Sequence, residues 1–307
     1  IIPIHKRGSA MGLMGLVILL APAVGPTFSG FLIETLHWKF IFWVCLILLF
    51  IPLLFGMKYI QNISTITKPK IDILSVILST IGFGGTVFGF SSAEGGLEAW
   101  TEPHVLIAIG IGGIGLVLFI LRQVKIEKPM LNIRVFKYPM FTLGLLLAFI
   151  CMFVILGSAI LLPIYLKGGL LLNAFLAGLI LLPGGFINGI MSLVTGKLFD
   201  RFGPKVLVIP GTLGLALISL LFFFVISTST PLWLIVVLHS LLFICIALII
   251  MPAQTNGLNQ LPKHLYPDGT AIMNTLQQIA GAIGTAIAIS MMTAGQMKFM
   301  STASNPE

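Results

Sequence analysis

Charge is what this sequence has least of. Only 8% of its 307 residues are Asp, Glu, Lys or Arg, where a soluble domain carries about a quarter. Hydrophobic residues make up 58% and the mean hydropathy is +1.12. That shortage excludes a soluble globular chain and leaves a polytopic membrane protein. Acids are scarcer still, 9 against 17 Lys and Arg, and none lies near the middle of a long apolar run; Glu34 and Asp72 sit at run ends. A titratable carboxylate inside a span, the usual proton carrier of a coupled machine, is therefore missing from these runs. Cysteine is limited to Cys45, Cys151 and Cys245, each inside an apolar run and without paired spacing. A disulfide frame and a metal site are excluded on that pattern, leaving three packing residues. HExxH, GxSxG, a P-loop and paired intramembrane carboxylates are all missing, which argues against a membrane hydrolase and a nucleotide-driven pump. The chain starts at Ile1 without an initiator methionine or a signal peptide, so it is expected to be a piece of a longer polypeptide.

Long apolar runs are what the sequence has in abundance. A hydrocarbon core of about 30 Å needs about 20 apolar residues in a helix. Nine segments meet that length, near 9–33, 39–58, 71–91, 104–121, 140–163, 172–194, 205–226, 232–251 and 269–294. They are too long and too unalternating for barrel strands, so all nine are predicted to be helices. Of the 17 Lys and Arg residues, all but Lys39, Lys167 and Lys298 then fall in segments on one side. By the positive-inside bias that side is the cytoplasm, so the N-terminus is expected inside and the C-terminus outside. The net charge of +8 is thus spread over short loops rather than gathered on one face, and no nucleic-acid partner is expected.

Three stretches stand out. Gly196-Lys197-Leu198-Phe199-Asp200-Arg201-Phe202-Gly203-Pro204-Lys205 is a charged connector between two apolar runs. Its two glycines let the backbone fold back, Pro204 suits the first turn of the next helix, and Asp200 lies where a carboxylate can meet a helix N-terminus and cations. In the first run, Gly12, Ala21 and Gly25-Pro26-Thr27-Phe28-Ser29-Gly30 bring small residues close together, and Pro26 removes a helical hydrogen bond and bends the span. In the last run, Asn274, Gln277 and Gln278 stand at i, i+3 and i+4, on one face, within a segment that continues to Gly281 and Gly284.

The connector resembles the G-x-L-x-D-R-x-G-x-K/R signature of the major facilitator superfamily. The first run resembles the Gly-Pro motif in the fifth helix of its drug:proton antiporters, with Ala21 and Ser29 where that motif has glycine. The last run resembles the G-x-A-x-x-N-x-x-R-Q segment of fourteen-helix antiporters, with Gln277 in place of the usual Arg. The resemblance implies an all-α, partial major facilitator fold, nine transmembrane helices of an expected fourteen, from the fifth to the thirteenth. Residues 1–60 would then close the N-terminal six-helix half, 61–125 form an extra central pair, and 126–307 open the C-terminal half.

The same resemblance implies a proton-coupled multidrug exporter of the plasma membrane, working by alternating access and not an enzyme. Gly196, Asp200, Arg201, Gly203 and Lys205 would form a conformational lock. Gly12, Gly25, Pro26 and Gly30 would mark the antiporter Gly-Pro helix, with Gly25 and Pro26 forming the tight packing between the halves that limits leak. His239, Asn188, Asn274, Gln277 and Gln278 are the candidates for lining a cavity, or for packing through hydrogen bonds between helices. No cofactor is expected beyond the proton gradient, and the partners would be small hydrophobic or cationic substrates, protons and the bilayer. A metabolite uniporter or symporter is the alternative within the superfamily, and a membrane scaffold or lipid-handling enzyme the alternative outside it.

Overall fold

The computed structural model describes residues 7–59, 72–93, 96, 98–126, 129–227 and 229–303, with some side chains of the first and last helices outside that set. Nine α-helices run through the described residues: α1 Arg7–Thr35, α2 Lys39–Tyr59, α3 Ile73–Ser92, α4 Pro103–Lys125, α5 Pro139–Ile164, α6 Ala174–Phe202, α7 Lys205–Val225, α8 Leu232–Asn259 and α9 Tyr266–Ala303. No strand occurs among the described residues. From α2 onward, each helix is long and apolar enough to cross a membrane. The 29 residues of α1 span about 43 Å at 1.5 Å per residue, also enough for a bilayer core. The chain is an all-α, multi-pass membrane protein.

Three helices outrun the apolar runs that announced them. The sixth, expected over 172–194, continues to Phe202; the eighth, expected to 251, continues to Asn259; the ninth, expected over 269–294, spans Tyr266–Ala303. An apolar count stops where polar residues begin, but helical hydrogen bonding does not, because each added residue extends a helix already nucleated. The connector is corrected accordingly: Gly196, Asp200 and Arg201 lie inside α6 rather than in a turn. The turn itself is Gly203 and Pro204. Gly203 has a φ of +76°, which suits glycine, and its N–H donates to the Phe199 carbonyl at 2.9 Å.

Lipid is as apolar as leucine, so helices in a bilayer associate chiefly where small residues let backbones approach. α3 and α4 show this plainly. A Cβ added at Gly85 would lie 3.0 Å from the Gly112 Cα, and one at Gly115 would lie 2.9 Å from the Gly82 backbone nitrogen. α8 packs between α5 and α7. Its Leu238, Leu242, Ile246 and Ile249 pack with Ala148, Cys151 and Ile155 of α5 and Leu215 and Ile218 of α7. A second cluster joins Phe141 and Leu145 of α5 to Ile272 and Met273 of α9. No residue of α2 is buried.

Contacts between helix ends sort the molecule into two faces. On one, Asp72 before α3 meets Arg122 near the end of α4, the Asn132 N–H reaches Asp268 of α9 at 3.0 Å, and Gly12 lies beside Gly196. On the other, Glu34 of α1 meets the Phe175 N–H at 3.0 Å, the Tyr165 hydroxyl meets the Ser227 carbonyl, and Gly96 lies beside Met297. The described cations lie near helix ends or between helices. Lys6, Lys68, Lys70 and Lys128, which carry part of the charge asymmetry, lie outside the described residues, as does the expected boundary at residue 60.

Candidate functional site

α1 and α6 run antiparallel and touch near both ends. A Cβ at Gly12 would lie 2.7 Å from the Ser192 carbonyl oxygen and 3.3 Å from the Gly196 Cα, closer than side chains ordinarily pack. The Ser192 hydroxyl donates to the Gly12 carbonyl at 3.1 Å. Toward the other face, the Thr27 hydroxyl donates to the Gly178 carbonyl at 2.8 Å, and a Cβ at Gly30 would lie 2.8 Å from the Ala174 carbonyl oxygen. Glu34 then accepts from the Phe175 N–H, and the Asn173 side chain accepts from the Leu176 N–H at 2.8 Å, so the exposed N-terminus of α6 is satisfied partly by α1. Gly12 and Gly30 are eighteen residues apart in sequence, about five turns at 3.6 residues per turn, and therefore share a face.

This seam corrects the expectation for Gly25. It is exposed, and a Cβ there would meet nothing within 4 Å, because it points about 140° away from the line joining Gly12 and Gly30. The Pro26 side chain lies outside the described residues; the helix is continuous through that position. Gly196, read from the sequence as a turn residue, instead supplies the flat surface on which Gly12 rests. The motif of the first helix and that of the connector thus meet in one contact.

The connector's polar groups sit just beyond that contact. Asp200 is half-buried in the last turn of α6, while Arg201 and Lys205 are exposed. The Arg201 guanidinium lies 5.1 Å from the centroid of the Phe202 ring.

The cavity candidates divide. His239 on α8 is 5% exposed, with its ring edge-on to Phe243 at 4.7 Å between centroids. A Cβ at Gly184 of α6 would fall against its Nδ1, so the histidine occupies the space a glycine leaves open. Asn188, one turn along α6 from Gly184, is 1% exposed. Of the three candidates on α9 only Gln277 is buried, where its Oε1 accepts from Gln254 Nε2 of α8 at 3.1 Å; Asn274 and Gln278 are exposed. The expectation that the three share one environment is corrected: i+3 falls about 60° to one side of Asn274 and i+4 about 40° to the other, enough to turn Gln277 into α8. Among the described residues, Asn188 Oδ1, His239 Nδ1 and Gln277 Nε2 are buried without a hydrogen-bond partner. Such atoms cost about 1–3 kcal/mol each when left unpaired. They mark α6, α8 and α9 as helices with unused polar capacity.

An apolar cleft of about 340 Å³ opens between α5, α7 and α9, lined by Phe153, Leu161, Phe222 and Met291 among others. None of the sequence candidates lines it.

Sequence reasoning overlooked the ties of the α3–α4 pair. Asp72 accepts from Arg122 Nε at 2.7 Å and Nη2 at 2.9 Å, and from the Ser75 hydroxyl at 2.5 Å. Arg122 holds the Asp72 carboxyl well below the usual carboxylate range, with Ser75 adding to the effect. The buried Gln123 donates to Ser75 Oγ at 2.7 Å and accepts from the Leu131 N–H at 3.0 Å. At the opposite face the Trp100 indole donates to Ser290 Oγ of α9 at 2.7 Å. The available signals were an aspartate three residues before a serine at a helix start, and an arginine in the last turn of the following helix.

Nine bilayer-length helices among the described residues, with α1 packed at a glycine seam against the helix that carries the G-x-L-x-D-R-x-G-x-K connector, define a polytopic membrane protein. Residues 1–285 match the family model of the Major Facilitator Superfamily, and the chain belongs to that superfamily. It is 60% identical over 306 residues to the lincomycin resistance protein LmrB of Bacillus subtilis (strain 168), an alignment that covers 100% of this chain and 64% of that protein. It is 61% identical over 303 residues to the LmrB protein of Listeria monocytogenes serovar 1/2a, covering 99% of this chain and 64% of the relative. The multidrug export protein EmrB of Escherichia coli (strain K12) is 24% identical over 299 residues, covering 95% of this chain and 57% of EmrB. The chain thus spans about two thirds or less of the length of each of these relatives.

Proposed function

We propose that the protein is a secondary active exporter of amphiphilic drugs, lincomycin among them, driven by the proton gradient across the plasma membrane. The observation that carries this reading is the seam in which Gly12 and Gly196 meet, since it joins the motif of antiporters to the motif of the lock. The names of the relatives, which are resistance and export proteins, support the same substrate class. In this reading α1 rocks against α6, and the two ends of the seam, at Gly12 and at Gly30, open in alternation around a site near the midplane. The face rich in Lys and Arg is cytoplasmic, which puts the N-terminus of α1 inside and the C-terminus of α9 outside.

Asp200 and Arg201 latch the cytoplasmic end from the last turn of α6. The unpartnered atoms of Asn188, His239 and Gln277 are the groups on α6, α8 and α9 that substrate, water or a proton would engage. The test is lincomycin export from cells with and without a protonophore, comparing the parent with Asp200→Asn. Export should collapse with the protonophore, and Asp200→Asn should lose net export while reaching the membrane in normal amounts. Export that persists at full rate without a proton gradient would rule out the coupling, and full export by Asp200→Asn would rule out the latch.

A further inference from the structure

The end of α4 and residues 129–137 line a groove of about 620 Å³ on the cation-rich face, and no part of the transport reading uses it. Its walls differ in character. One side is apolar, formed by Ile120 and Val124 of α4, which are 46% and 65% exposed, and by Phe136, 41% exposed. The other side carries Arg134 and Lys137, both exposed, on a short 3-10 turn, Ile133–Lys137. Among the described residues no carboxylate lines the groove and neither cation forms an ion pair. Of the described acids nearby, Asp72 is engaged by Arg122 and Asp268 by the Asn132 N–H; Glu127 and Lys128, of opposite charge, lie outside the described residues.

The cations stand on a backbone held in place. Val135, between them, is fully buried; the Asn132 side chain accepts from the Arg134 N–H at 3.1 Å; and Gln123, in the groove wall, is fixed by Ser75 and the Leu131 N–H. Two fixed positive charges beside a lipid-facing apolar wall match an amphiphile with an anionic head. A free anion would leave the apolar wall unexplained, and a zwitterionic lipid would leave the net positive charge unmatched.

We propose that this groove binds one anionic phospholipid, its phosphate between Arg134 and Lys137 and an acyl chain along Ile120 and Val124. The bound lipid ties α4 to the entry of α5 and so couples the α3–α4 pair to the second half through the bilayer itself. Each cation near an anionic headgroup should strengthen retention about fivefold.

The test is native mass spectrometry of the full-length protein in detergent, with phosphatidylglycerol or phosphatidylcholine added at equal concentration, and inorganic phosphate as a competitor. The parent should retain phosphatidylglycerol at least about fivefold over phosphatidylcholine. R134Q/K137Q should fall to the phosphatidylcholine level, R134K/K137R should keep the preference, and V124D should weaken retention with the cations intact. Equal retention of the two lipids by the parent, or undiminished retention by R134Q/K137Q, overturns the proposal. Displacement by equimolar phosphate also overturns it, by making the groove a site for free anions. The exposed positions of Arg134 and Lys137 keep the charge variants folded, and the melting temperature of each variant is recorded with its retention.

Discussion

Replacing Gly12 with alanine would put a methyl carbon 2.7 Å from the Ser192 carbonyl oxygen, a backbone atom that cannot swing aside. The helices must therefore separate, and the 3.1 Å bond from Ser192 to the Gly12 carbonyl goes with them. Overpacking costs about 1–3 kcal/mol. The lost interhelical bond adds about 0.6 kcal/mol, and the better helix propensity of alanine returns about 0.5–1 kcal/mol. The net cost is about 1–3 kcal/mol, which lowers the melting temperature by roughly 2–5 °C. If the contact exists in only one access state, a cost of about 1.4 kcal/mol also shifts the balance between states about tenfold. Gly25→Ala is the internal control, since its methyl meets nothing within 4 Å. Thermal unfolding of the purified protein and lincomycin export from cells measure the two effects side by side. Gly12→Ala should lose on both, while Gly25→Ala stays with the parent. A Gly12→Ala variant that melts at or above the parent, or a Gly25→Ala variant that is the more damaged of the two, would refute the assignment of the seam.

Two further outcomes follow from buried and paired groups. Gly184→Ala should displace the His239 ring from its place beside Phe243 and cost about 1–3 kcal/mol. His239→Ala should restore the room, so a double-mutant cycle in thermal unfolding should show clear coupling, and strict additivity would contradict the contact. Asp72→Asn should lower the melting temperature at pH 7 by removing the partner of Arg122. Because Arg122 depresses the Asp72 pKa, the stabilisation is complete above the unfolded value of about 3.9 and is lost only as pH falls through the lower folded value. The difference between parent and Asp72→Asn should therefore stay constant from pH 8 to pH 5. Identical melting of the two at pH 7, or a gap that closes before pH 5, would argue against the pair.

Much of the candidate site was readable in the linear order of residues. The motif around Gly203 and Pro204 located the turn, and small residues at Gly12 and Gly30 marked α1 as a helix for close packing. The failures share a cause. Gly25, inside the most recognisable part of its motif, faces away from α6, while Gly196, which looked like a turn residue, is the surface Gly12 meets. Asn274, Gln277 and Gln278 lie within about 100° of arc, yet only Gln277, at one edge of it, turns into α8. Asp72 and Arg122, 50 residues apart, form a bidentate pair that no local pattern announces.

Residue order alone settled the number of long helices among the described residues, the apolar stretch at the centre of each and how their ends divide between two faces. Those properties are sums along the chain, set by how much apolar length and how many loop cations a bilayer of fixed thickness accepts. Which glycine lies against a neighbour, and which amide is buried, was decided by packing. In lipid every apolar face is equally well solvated, so hydropathy carries no information about the direction a side chain points around its helix. That angle is chosen where two backbones can approach without a Cβ between them, as α1 and α6 do at Gly12 and Gly196.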